Sequence, residues 1–164
     1  VWGAQARLKE FRPFDHSLVT RPDIVAAEWI QNNLPPDAHF LVNSFFAYGD
    51  SLIVGSDAGW WLPLIAKRAT SLPPINYATE IGPRPDYLTY INSLTIAIEK
   101  KGLNHPDVLE MLQERQIEYL YIGQRQGRVN ASKPPLLKAD QLLSDPTFQV
   151  IYHHDRVWIF QIIQ

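Results

Sequence analysis

This chain has no cysteine, no long apolar run and no large excess of charge of either sign. Its 164 residues contain no Cys, which excludes disulfides, thiolate metal sites and a cysteine nucleophile. No run reaches the roughly 18 apolar residues that a transmembrane helix needs. The formal net charge is -2, which argues against a nucleic-acid partner because such partners usually require a basic face.

Most short motifs that mark enzymes are also missing. There is no GxSxG, and Gly55 and Gly59 lack the residues that GxGxxG or a P-loop requires after them. His153-His154-Asp155 contains metal-ligand residue types, but adjacent strand residues face opposite ways and no HExxH spacing accompanies them. We therefore interpret this tripeptide as a solvated hairpin turn and predict no metal site.

What the sequence does contain is typical of one folded domain. The hydrophobic share is 46% and the charged share is 20%, which suits a single domain with a sizeable core. Thr20 and Asp23 have the spacing of a capping box and predict a helix start. Ile24, Ala27 and Ile30 then recur at helical spacing and predict the buried face of that helix.

The remaining patterns alternate between helix and strand. Pro85-Asp86 and Pro106 predict two further helix starts, and residues 39–43 and 117–122 read as buried strands. Residues 43–59 are predicted to be a loop region. The chain closes on two β-rich runs, so the sequence predicts an α/β fold: a mixed, partly parallel sheet flanked by helices, with a C-terminal antiparallel hairpin.

A tryptophan pair is the most unusual local feature. Trp60 and Trp61 lie between a Gly-rich loop and the Pro-rich loop that runs from Leu72 to Arg84, and periodicity does not decide between helix and strand for residues 60–66. The pair is either a core anchor or a flat apolar wall for a sugar or another ligand. Loops of this length are disproportionately functional.

Polar residues near the tryptophans complete the candidate binding site. Arg68 and Arg84 could contact an anion or a hydroxyl, while Asp57, Tyr77 and Glu80 would be polar contacts from the loops. Asp57 and Glu80 also allow a different function, because glycoside hydrolases use a pair of carboxyl groups. Their other interpretation is that they order loops by bonding backbone N–H groups.

Much of the chain resembles the soluble C-terminal domain of bacterial multi-span membrane glycosyltransferases of the GT-C type. The likeness is carried first by residues 57–70, DAGWWLPLIAKRAT. It extends to residues 23–30, to Pro36-Asp37-Ala38, to residues 117–123 and to the closing hairpin at 145–160. A more distant likeness is to oligosaccharyltransferases, whose soluble domain carries a Trp-Trp-Asp motif.

The match to oligosaccharyltransferases covers only part of that motif. Trp60-Trp61 matches the tryptophan pair, but Leu62-Pro63 follows where Asp-Tyr-Gly is expected. Only a ligand-contact role for the two tryptophans is carried over. The catalytic carboxylates of this superfamily lie in loops between early membrane helices, so the resemblance implies a fragment without catalysis of its own.

The resemblance also implies an organisation and a location. Residues 1–19 would be an N-terminal extension that follows a missing membrane segment, and residues 20–164 a single α/β domain on the extracytoplasmic face of the cell membrane. Its partners would be the membrane-embedded portion of the same polypeptide and a lipid-linked sugar or an acceptor. No cofactor is expected here, although the parent could use a divalent metal.

Two alternatives remain open at this point. The chain could be a stand-alone module that binds a carbohydrate or a protein. It could also be a soluble glycoside hydrolase that uses Asp57 and Glu80. The sequence upstream of Val1 in the native gene separates the membrane reading from the first alternative.

Overall fold

The computed structural model describes residues 17–131 and 133–163. Seven strands and five α-helices are found in this part of the chain. The strands are β1 His39–Val42, β2 Ser44–Ala47, β3 Leu52–Gly55, β4 Ala69–Thr70, β5 Tyr119–Ile122, β6 Phe148–His154 and β7 Val157–Ile162. The helices are α1 Arg21–Asn33, α2 Leu62–Ile65, α3 Tyr87–Lys101, α4 Pro106–Glu114 and α5 Ala139–Leu143.

The main sheet has five strands in the order β4-β1-β5-β7-β6. β1 pairs in parallel with both β4 and β5, whereas β7 pairs antiparallel with β5 and with β6. The predicted α/β fold with a mixed sheet and a C-terminal antiparallel hairpin is therefore confirmed. None of the helices in the described ranges is long and apolar enough to cross a membrane.

Each face of the sheet is covered by its own apolar cluster. Ala27 and Ile30 of α1 pack with Phe40 and Val42 of β1 on one face. Leu94 of α3 and the buried side chains of α4 pack with the other face. This alternation follows from the period of two along a strand, which sends neighbouring side chains to opposite faces.

Helix α1 begins where the sequence predicts it. Asp23 Oδ2 accepts hydrogen bonds from the backbone N–H of Thr20 at 2.8 Å and from its hydroxyl at 2.6 Å. The predicted buried face is wrong at one position, since Ile24 is 40% exposed while Asp23 and Ala26 are buried. The buried stripe is rotated because the carboxyl group of Asp23 has polar partners inside the fold.

Residues 43–59 are not the loop region that composition predicts. β2 and β3 form an antiparallel hairpin within it, with Phe45 opposite Val54 and Phe46 opposite Ile53. After it, residues 58–61 form a 3-10 turn that leads into the single turn of α2. The undecided segment at the tryptophans is therefore helical.

The closing hairpin turns at Asp155 and Arg156, which both have positive φ angles of 46° and 68°. Two successive left-handed residues give the tight turn that fits twisted strands. His153 stacks on Trp158 with ring centroids 3.4 Å apart, and both His153 and His154 are exposed. The tripeptide is exposed as predicted, but only Asp155 lies in the turn, because His153 and His154 are the last residues of β6.

Candidate functional site

The parallel part of the sheet has a switch point between β1 and β5. The chain leaves β1 through α2 to reach β4 at one side, and it returns through α3 and α4 to β5 at the other side of β1. In open α/β sheets, ligands bind outside the carboxyl ends of the strands at such a point. Here those ends are followed by Asn43 and Gly123.

Four buried side chains fill this position, and we call them the edge cluster: Asp23, Asn43, Asp57 and Tyr121. Asp57 lies at its centre with no exposed surface. Its Oδ1 accepts from the N–H of Gly59 at 3.0 Å, and its Oδ2 accepts from Gly123 N–H at 3.0 Å and from Asn43 Nδ2 at 3.1 Å. One carboxyl group therefore joins the loops that follow β1, β3 and β5.

Burial dominates the protonation of Asp57. Removal from water raises its pKa from the ordinary value of 3.8 to about 6, although the two backbone donors and Asn43 favour the charged form. Asp23 adds a smaller upward contribution through charge repulsion. A carboxyl group with this pKa changes its charge in mildly acidic solution.

Asp23 ties the other side of the edge cluster to β5. Its Oδ1 accepts from the Tyr121 hydroxyl at 2.9 Å and from the N–H of Gln124 at 3.0 Å. Burial, and then the nearby Asp23 charge, hold the pKa of Tyr121 well above its usual range. A methyl group on Gly123 would lie 3.1 Å from Asp23 Oδ1 and from the N atom of Ala58, so a side chain there would require the edge cluster to move by a few tenths of an ångström.

The two tryptophans of the predicted site have different environments. Trp60 packs against the first apolar cluster, and its Nε1 donates to the Pro73 carbonyl at 3.1 Å. A methyl group on Gly55 would lie 2.3 Å from Trp60 Cβ, so the ring rests against bare backbone. Trp61 is 43% exposed. Of the two, Trp61 is the ring with surface available to a ligand.

Arg68 is buried and is occupied by backbone carbonyls. Its guanidinium donates to Leu34 O at 2.8 Å and Gln31 O at 3.3 Å, at the carboxyl end of α1. It also donates to the carbonyls of Ala66 and Lys67. The free carbonyls at a helix end favour a cation, so Arg68 caps α1 and fastens it to the segment after α2.

The last three predicted residues surround one shallow groove of about 570 Å³. The hydroxyl of Tyr77 is buried, accepts from Ile53 N–H at 2.8 Å and donates to Asn92 Oδ1 at 2.9 Å. Glu80 is exposed and accepts from Asn76 Nδ2 at 2.5 Å. Arg84 is exposed and forms a two-pronged ion pair with Asp86. Tyr77 thus supports the groove, while Glu80 and Arg84 line its open side.

Sequence reasoning assigned no site role to Asn43 or Tyr121 and treated Asp23 only as a capping residue. A usable signal was present, because Asn43 and Gly123 directly follow the two predicted strands. The carboxyl ends of neighbouring parallel strands meet at one edge of a sheet. What the pattern lacked was the evidence that those two strands are neighbours.

Within the described ranges no three His, Asp or Glu side chains are grouped as ligands of a metal ion. Comparison with protein-family models, with curated proteins and with solved structures gives no match.

Proposed function

We propose that this chain is the extracytoplasmic domain of a membrane glycosyltransferase-like protein. In this proposal it rests on the membrane-embedded portion of the same polypeptide and assists the binding of a lipid-linked sugar or an acceptor. It contributes binding surface and no catalytic group. The resemblance of residues 57–70 to such domains suggested this function, and the surface of the molecule supports it.

The observation that carries the proposal is a set of five exposed large apolar side chains within residues 61–88, a range that we call the apolar segment. Its exposed large apolar side chains are Trp61 at 43%, Leu64 at 59%, Ile75 at 43%, Ile81 at 104% and Leu88 at 37%. Single exposed apolar side chains are ordinary, but a concentration of them is typical of a contact surface.

Side chains on the inner side of the apolar segment hold its backbone in place. Trp60 is anchored to Pro73, and the Tyr77 and Tyr87 rings meet edge to face with centroids 6.3 Å apart. Exposed polar groups such as Glu80 and Arg84 stand beside the apolar ones. Exposed apolar side chains on an ordered backbone, with polar groups among them, are the kind of surface that docks against another protein.

The burial of Asp57 counts against the hydrolase alternative. A carboxyl group must reach the glycosidic bond in order to act as an acid or a nucleophile. Asp57 has no exposed surface, and its oxygens are occupied by three donors. Glu80 alone does not supply the pair of carboxyl groups that this chemistry needs.

The test uses the native gene product in its membrane. The double variant Leu64→Ser with Ile81→Ser removes two exposed side chains of the apolar segment. The matched control, Ile96→Ser with Leu143→Ser, removes two exposed apolar side chains elsewhere, which are 37% and 52% exposed. Incorporation of radiolabelled sugar into the lipid and glycan fractions of isolated membranes is the activity to be measured.

We expect the first double variant to lose tenfold or more of the activity and the control to lose less than twofold, on the order of what removal of a contact surface costs. Equal losses, or no loss in either, would contradict the proposal. The native gene upstream of Val1 gives a second test: several apolar spans agree with the proposal, whereas one cleavable leader favours the stand-alone binding module.

A further inference from the structure

We propose that the loop after β5 forms an anion site for a phosphate or diphosphate group, whether free in solution or carried on a lipid. This inference deepens the proposed function, since a lipid-linked sugar carries such a group. It depends on a different surface from the apolar segment. Its test needs only the 164-residue chain.

The site is a groove of about 760 Å³ that is lined by residues from the ranges 126–131 and 133–140. Three of its lining residues are cationic, Arg128, Lys133 and Lys138, and one is anionic, Asp140. Asp50 approaches Lys133 from the β2–β3 hairpin at 3.8 Å. Positive charge therefore remains in excess even with both carboxylates counted, on a chain whose formal net charge is -2.

The groove lies beside the switch point of the parallel strands. Leu137 N–H donates to Asn43 Oδ1 at 2.7 Å, and Val129 N–H donates to Ser56 O at 3.0 Å. Asn43 follows β1, while the loop itself leaves the carboxyl end of β5 at Gly123. The loop that carries the basic side chains is thus attached at the edge where doubly wound sheets bind their ligands.

The backbone beneath the cations is closely packed. Gly127 has a φ angle of +66°, and a methyl group there would lie 2.5 Å from Asn43 Cγ. Arg128 is the next residue, so its backbone is held close to the buried Asn43 of the edge cluster. A site whose backbone is already ordered loses less conformational entropy when it binds.

The chemistry of the cations selects the ligand class. A guanidinium group presents a planar fork that matches two oxygens of a phosphate, and an ammonium group adds a compact point charge. Arg128 and Lys138 are the two cations of the groove without a carboxylate contact in the described ion pairs. We assign the phosphate contacts to these two residues and a supporting role to Lys133.

The experiment measures binding of two probes to the 164-residue chain by isothermal titration calorimetry and vesicle sedimentation. The first probe is inorganic pyrophosphate. The second is phosphatidylcholine vesicles with and without phosphatidic acid. The test variant is Arg128→Gln with Lys138→Gln. The matched control, Arg21→Gln with Lys100→Gln, removes the same charge from exposed positions of α1 and α3.

We expect the test variant to bind at least about tenfold more weakly and the control less than about twofold, because distant exposed charges are screened in physiological salt. Loss of pyrophosphate binding identifies a soluble anion as the ligand source. Loss of binding to phosphatidic acid vesicles alone identifies a lipid headgroup. Either result supports the site.

Two results would overturn the inference: no binding of either probe by the unaltered chain, or the same loss in the control variant. Thermal unfolding by circular dichroism shows whether both variants remain folded. Should the double variant unfold, Arg128→Lys is the second test. It keeps the positive charge and removes only the planar guanidinium group. We then expect pyrophosphate binding to weaken without being lost, and unchanged binding would contradict the role of Arg128. None of these results depends on docking through the apolar segment.

Discussion

Replacing Asp57 with Asn should remove a pH dependence from the free energy of unfolding. The folded chain holds the Asp57 proton more tightly than the unfolded chain, because burial raises its pKa from 3.8 to about 6. The stability that this group contributes is fully present below pH 3.8 and is lost as the pH rises through about 6. A rise of about two pK units corresponds to roughly 3 kcal/mol.

Other carboxylates act in the opposite direction at lower pH. Hydrogen bonds from Arg84 and Lys101 lower the pKa values of Asp86 and Asp107, so their contribution is lost as the pH falls. Both pairs are exposed and therefore weak. The gap in stability between the unaltered chain and Asp57→Asn isolates Asp57, because these groups are common to both.

The assay is urea unfolding followed by circular dichroism at about pH 4.5 and about pH 7.5, at constant ionic strength. Between these values the unaltered chain should lose about 2 kcal/mol that Asp57→Asn does not lose. The exposed substitution Asp37→Asn serves as the control and should follow the unaltered chain. A gap between the unaltered chain and Asp57→Asn that stays constant within about 0.5 kcal/mol would refute the desolvation argument.

Two further predictions concern residues of the candidate site. Arg68→Met should lower the free energy of unfolding by roughly 2–4 kcal/mol, because the carbonyls of Gln31 and Leu34 at the end of α1 lose a charged donor; a change below about 1 kcal/mol in urea unfolding would contradict the capping role. Trp60→Ala should cost roughly 2–4 kcal/mol and Trp61→Ala less than about 1 kcal/mol, since Trp60 packs against the first apolar cluster and donates to Pro73, whereas Trp61 is 43% exposed. Equal shifts of the two unfolding midpoints would show that the exposed ring also supports the fold.

Short sequence patterns correctly predicted the helices and turns that are stabilised by residues close together in the sequence. The start of α1 was predictable because Thr20 and Asp23 meet within one turn. Gly102 ends α3 with a φ angle of +88°, a backbone conformation that favours glycine. The hairpin β2–β3 was missed because its Gly and Ser residues resemble a loop. Its backbone also bonds to the side chains of Tyr77 and Asn92, which are distant in the sequence.

The sequence by itself determined the fold class, the helix starts and the closing hairpin, because these follow from periodicity and from caps a few residues apart. Only the tertiary structure decided which polar residues are accessible. In the sequence, Asp57 and Arg68 look like surface contacts beside the tryptophan pair. In the fold both are buried, and they bond to the backbone of the distant residues Gly123 and Leu34. Burial depends on which strands become neighbours, and no local pattern contains that information.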